Sequence, residues 1–80
     1  MKFDVFKDKV IVYSVDEFNP EHIFECGQVF SYKKINRECF VFYPENKVYL
    51  IYKEKDSYII QKISKIGNVE DIIRIFDLEN

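Results

Sequence analysis

The 80-residue chain is predicted to be a single α+β domain over 1–80, an antiparallel sheet of about five strands with two short helices on one face. Three observations predict this. Short β-branched and aromatic runs bounded by turn residues recur from Lys9 to Ile63. Two positions, Asn19–Pro20 and Gly67–Asn68, carry helix-start chemistry. At 48% hydrophobic and 18% aromatic, with six Tyr and eight Phe, the composition is that of a chain with a packed core, not a disordered one.

The first strand is expected in "KVIVYSV", Lys9 to Val15. Asn19 then supplies an N-cap oxygen, Pro20 suits the first helical position, and Glu21 lies where the helix dipole favours an acid. Ile23 and Phe24 provide the buried side. Gly27 falls at C′, where positive φ suits glycine, so this helix spans about two turns. "QVFSYKK" alternates next, with Gln28, Phe30 and Tyr32 on one face and Val29 and Ser31 on the other. Turns at "INR", "PENK" and "EKD" separate the strands "ECFVFY", "KVYLIYK" and "SYIIQKI". Asn68 caps a final helix with Glu70 and Asp71 in its first turn. Its apolar stripe is Val69, Ile72, Ile73 and Phe76, at i, i+3, i+4 and i+7.

A one-sided sheet alternates apolar and polar residues. Here Phe40 and Phe42 alternate with Cys39, Val41 and Tyr43; Val48, Leu50 and Tyr52 with Tyr49 and Ile51; Tyr58 and Ile60 with Ile59. Both faces are apolar through three strands, and two short helices cover only one of them. Burying a large apolar side chain is worth about 1.5–3 kcal/mol, so leaving three or four wet forgoes roughly 5–10 kcal/mol, comparable with a small domain's whole stability. The second face is therefore expected to pack on another domain or another copy of the chain.

Charge and chemistry narrow the function classes. The net charge is −2, with lysines dispersed among acids along the sequence, unlike the basic block of an autonomous nucleic-acid binder. No run approaches the roughly 18 apolar residues that cross a bilayer, and "MKFDVFKDK" lacks the apolar core of a signal peptide. With two cysteines, Cys26 and Cys39, read as free thiols, the expected location is cytoplasmic. His22 and Cys26 have i, i+4 spacing but supply only half of a zinc site; no metal or cofactor is implied. Asp16–Glu17 and Glu70–Asp71 read as cap and surface charges, and there is no Ser-His-Asp set or phosphate loop.

The stretch "FNPEHIFECGQVFSY", Phe18 to Tyr32, resembles the signature of the N-terminal domain of the 8-oxoguanine DNA glycosylases. In that family a short helix ends in a CGQ or SGQ turn followed by an alternating strand; here Cys26, Gly27, Gln28 and Phe30 stand in register. The closing "IFDLEN" is similar to the family's YFDLD element, and "KVIVYSVDEF" to its opening strand. Ser31 and Tyr32 depart from it, occupying positions where the family usually has arginine and an aromatic, often tryptophan.

The resemblance implies a fold like half of the TATA-box-binding protein, with the sheet packed against a helix-hairpin-helix catalytic domain. It implies damaged DNA as partner of the full enzyme, and a base flipped into a pocket. Oxidation turns N7 of guanine from acceptor into N–H donor, so a backbone carbonyl facing it, that of Gly27 by resemblance, accepts a hydrogen bond only from the lesion. The family's nucleophilic lysine and its aspartate belong to the helix-hairpin-helix region. No lysine here has that context, so the chain alone is expected to be inert. The same fold also suits a stand-alone module that dimerises or docks a partner through its apolar sheet face.

Overall fold

The computed structural model describes residues 2–13, 18–25, 31–76 and 78. Six strands form one antiparallel sheet: β1 (Phe3–Val5), β2 (Lys9–Val12), β3 (Ser31–Asn36), β4 (Cys39–Tyr43), β5 (Tyr49–Glu54) and β6 (Ser57–Lys62), in the order β1-β2-β6-β5-β4-β3. Two helices, α1 (Pro20–Glu25) and α2 (Val69–Ile75), complete the α+β architecture. The strand beyond the expected five is β1. "FDV" is too short and charged to stand out, and pairing with β2 (Phe3 opposite Val12, Val5 opposite Val10) makes it a strand.

Turn chemistry sets the meander from β3 to β6. Between β4 and β5, Glu45 (φ 52°) and Asn46 (φ 66°) are both left-handed, and the Lys47 N–H donates to the Pro44 carbonyl at 2.9 Å. That is the type I′ geometry matching strand twist in a tight hairpin. Arg37–Glu38 and Lys55–Asp56 make the other two turns. β3 runs two residues further than "QVFSYKK" suggests, with a register irregularity between Lys34 and Asn36.

Both helices lie on the same side. Phe24 of α1 and Ile72 of α2, with Phe76 just beyond it, pack in one cluster with Val10, Val12, Phe40, Phe42, Tyr49, Ile51 and Ile60, the set pointing to one face by alternation. Leu78 and Phe18, from the segments flanking the helices, close the same core. Of the expected helix stripe, Ile72 and Phe76 are buried, and Val69 and Ile73 pack partly against the cluster.

Candidate functional site

Local signals fix α1 at its start. The Asn19 side chain accepts from the His22 backbone N–H at 3.0 Å, and the Ile23 N–H reaches the Asn19 carbonyl at 3.2 Å. Glu25 ends the helix and Ser31 opens β3 opposite Tyr43. The motif residues between them, Cys26, Gly27, Gln28 and Phe30, lie outside the described residues.

The two flanks of the motif are joined across it. Phe24 stacks on Tyr32 with ring centroids 4.9 Å apart, and Lys34 pairs with Glu21 at 3.2 Å. Phe24 also meets Phe40, Phe42 and Phe76. Aromatic pairs of this kind add about 0.5–1.5 kcal/mol beyond area burial, so α1 and β3 are tied together by these side chains. Ser31 is exposed on the opposite face, beside Tyr43.

The remaining motif residues are structural. Phe18 lies against the rings of Tyr58 and Phe76 at 5.3 and 5.4 Å. Phe76 and Leu78 of "IFDL" are core residues, and the Leu78 N–H donates to the Ile73 carbonyl at 3.0 Å.

The face away from the helices carries Ile11, Cys39, Val41, Leu50, Tyr52 and Ile59. Register aligns Ile11 with Ile59, Ile59 with Tyr52, Tyr52 with Cys39 and Leu50 with Val41. Ile59 is shielded to 8% exposure by these neighbours; the others are half-buried, and none belongs to the helix-side cluster. Asp4, Lys9, Gln61, Lys33 and Ser31 surround them. The second apolar face expected from the strand pattern is present, and no described helix lies over it.

A buried polar network joins α2 to the sheet. Asn68 and Asp71 form a reciprocal capping box: the Asp71 N–H donates to Asn68 Oδ1 at 3.2 Å, and the Asn68 N–H to Asp71 Oδ2 at 3.3 Å. Lys47 Nζ and the Tyr49 hydroxyl also donate to that oxygen, at 3.1 and 3.0 Å, while Arg74 Nη2 reaches Oδ1 at 3.0 Å. Burial opposes the Asp71 charge, but the bonds from Lys47, Tyr49 and the Asn68 backbone together prevail and hold its pKa below the ordinary value. Burial, then the Asp71 bond, pushes the Tyr49 hydroxyl up to about 12.

Sequence reading placed Asp71 in the cap but on the surface; it is only 7% exposed. The missed signal is long-range, because the Lys47 and Tyr49 partners come from the β4–β5 turn and the start of β5. Among the described residues no buried side-chain polar atom lacks a partner, so the network is a structural lock. Among the described residues, no three His, Cys, Asp or Glu side chains gather as a metal cage.

A family model described as the 8-oxoguanine DNA glycosylase N-terminal domain matches residues 10–79. No curated protein and no solved structure matches the chain.

Proposed function

The chain belongs to the family of 8-oxoguanine DNA glycosylase N-terminal domains, and from that premise we propose that it serves as the non-catalytic part of a base-excision-repair glycosylase and AP lyase. In this reading the open apolar face braces the helix-hairpin-helix domain that supplies the lysine and aspartate, and the Gly27 carbonyl tests N7 of the flipped base. A missing Cβ lets backbone approach base closely. The N7–H bond contributes about 0.5–1.5 kcal/mol, and guanine leaves the carbonyl unpaired at a further cost of about 1–3 kcal/mol. The setting is cytoplasmic repair, with damaged DNA bound by the complete enzyme.

The observation that carries the proposal is the family match over residues 10–79, a range that includes Cys26, Gly27, Gln28 and Phe30. The Phe24–Tyr32 stack supports it by tying α1 to β3. The test pairs the chain with a helix-hairpin-helix domain and compares 8-oxoguanine with guanine duplexes. Gly27→Ala is expected to lower excision of the lesion at least tenfold in protein that remains folded, the C′ position adding a modest fall in melting temperature. Unchanged discrimination between the two bases would remove Gly27 from lesion reading. The chain by itself is expected to show no turnover, and any cleavage by pure protein refutes the non-catalytic assignment.

The uncovered sheet face favours a second reading, a module that dimerises or docks a partner. It predicts a stable dimer and no dependence of any repair activity on Gly27.

A further inference from the structure

Residues dispersed in the sequence converge at one corner of the sheet. The β1–β2 turn is closed by the Phe6 N–H donating to the Lys9 carbonyl at 2.8 Å, and the Lys62 N–H extends the ladder to the Asp8 carbonyl at 2.8 Å. The turn therefore lies directly beside the end of β6 and the segment that follows it.

This corner holds Val5, Phe6, Ile63 and Ile66, exposed by 47, 47, 54 and 55%, four of the seven exposed large hydrophobics among the described residues. The two segments carry Lys7, Lys9, Lys62 and Lys65 against Asp8, a formal charge of +3 (four minus one) on a chain of −2, and the neighbouring β4–β5 turn adds the Glu45–Lys47 pair, which is neutral. Lys9 Nζ sits 5.6 Å from the Phe6 ring centroid, and Lys62 Nζ donates to the Ser64 and Lys65 carbonyls. Lys7 and Lys65 take part in none of the ion pairs among the described residues. At the other end of the sheet, the turns Arg37–Glu38 and Lys55–Asp56 alternate the two signs and sum to zero.

The corner lies at the same end of the sheet as the start of β3. Ser31 opposes Tyr43, Phe42 opposes Tyr49, Tyr49 opposes Lys62, and Lys62 meets Asp8. Five strand spacings of about 4.8 Å separate β3 from β1, roughly 24 Å. At 3.4 Å per base pair along a strand this is about seven base pairs.

We propose that the corner formed by Phe6–Lys9 and Lys62–Ile66 is a footprint for the phosphate backbone of a DNA duplex lying along this end of the sheet. Lys7 and Lys65, which make no ion pair among the described residues, supply the cations, and Phe6 and Ile63 pack against sugar edges. The inference rests on the glycosylase reading, since that reading puts the segment before Ser31 against a flipped base. The net charge makes this a weak, sequence-independent hold that adds to the grip of the full enzyme.

The experiment titrates the isotopically labelled chain with a short undamaged duplex and follows amide shifts. Shifts are expected at Phe6–Lys9 and Lys62–Ile66, the same with or without 8-oxoguanine in the duplex. Affinity should fall about 100-fold between 50 and 200 mM salt for some four phosphate contacts. The double variant Lys7→Glu, Lys65→Glu should lose at least about tenfold of the affinity at low salt. Arg37→Glu with Lys55→Glu makes the same net charge change at the far end and should lose about twofold or less. Absence of shifts at the corner, or equal loss in both double variants, overturns the footprint. So does a corner that responds to anionic phosphatidylserine vesicles but not to duplex, which would assign it to a membrane surface. Lesion discrimination through Gly27 is measured separately in the paired-domain assay, so either proposal can fail while the other stands.

Discussion

Asp71 receives donors from Lys47, Tyr49, Arg74 and the Asn68 backbone, while its own N–H returns to Asn68 Oδ1. Its folded pKa lies below the ordinary 3.8. The stability it contributes is therefore complete above the unfolded pKa and is lost as pH falls from about 4 through the lower folded value. The Tyr49 hydroxyl behaves oppositely. Raised from 10.0 to about 12, it stabilises fully below pH 10 and loses that contribution between pH 10 and 12. Denaturant midpoints across the pH range should fall at both limits, and Tyr49→Phe should flatten the alkaline fall. Asp71→Ala leaves Lys47 and the Tyr49 hydroxyl without their acceptor and should cost about 2–4 kcal/mol by urea unfolding.

Gly67 belongs to the same corner of the core. Its φ is +95°, and an added Cβ would stand 2.6 Å from the Tyr49 hydroxyl and 2.9 Å from Lys47 Cδ. Lys47 has a flexible stem, but Tyr49 is fully buried and fixed by Asp71. Gly67→Ala should lower stability by at least about 2 kcal/mol, from backbone strain and from displacement of the lock. A thermal melt unchanged from wild type would contradict this.

At the scale of elements, the β4–β5 turn shows how local strain is tolerated. Type I′ turns favour Asn-Gly at their centre, yet Glu45 and Asn46 occupy the two left-handed positions here. The compensation visible on the surface is the Lys47–Glu45 pair at 3.5 Å, whose carboxylate side chain is 79% exposed, so it contributes little. Glu45→Asn should therefore raise stability by some tenths to about 1 kcal/mol, read as a shift in denaturant midpoint with unchanged slope. The helices are secured differently. α1 is only six residues long, below the length at which an isolated helix holds in water, so it depends on Phe24 in the aromatic cluster and on the Asn19 cap.

At the scale of the molecule, the two faces of the sheet have unequal energetic roles. Ile51 is fully buried under the helices, and Ile51→Ala should cost about 2–5 kcal/mol. Leu50 is its neighbour on the open face, half-buried and outside the cluster. Leu50→Ala leaves no closed cavity and should cost about 1 kcal/mol or less. The uncovered row should also make the isolated chain self-associate at high concentration. Sedimentation should show this weakening in Leu50→Glu, whose core is untouched. A wild-type chain that stays strictly monomeric at high concentration would argue that the face is tolerated wet and does not await a partner.

The residues by themselves determined the α+β class, both helix starts, the turns and the presence of two apolar sheet faces. Each of these is written in neighbours: Asn19 beside Pro20, the alternation of Phe40 to Tyr43, Asn68 three residues before Asp71. The family, too, was legible, because Cys26 to Phe30 and the terminal "IFDL" are contiguous. Tertiary structure alone decided the rest. "FDV" becomes a strand only because β2 offers it a partner, and Asp71 becomes a buried hub only because the β4–β5 turn and β5 deliver Lys47 and Tyr49 to it. Lysines that look dispersed along the chain form a basic corner because β1 and β6 end where β2 begins. Pairing between distant segments places these groups, and the free energy of such pairing depends on what the intervening chain allows to meet, which no short window of residues encodes.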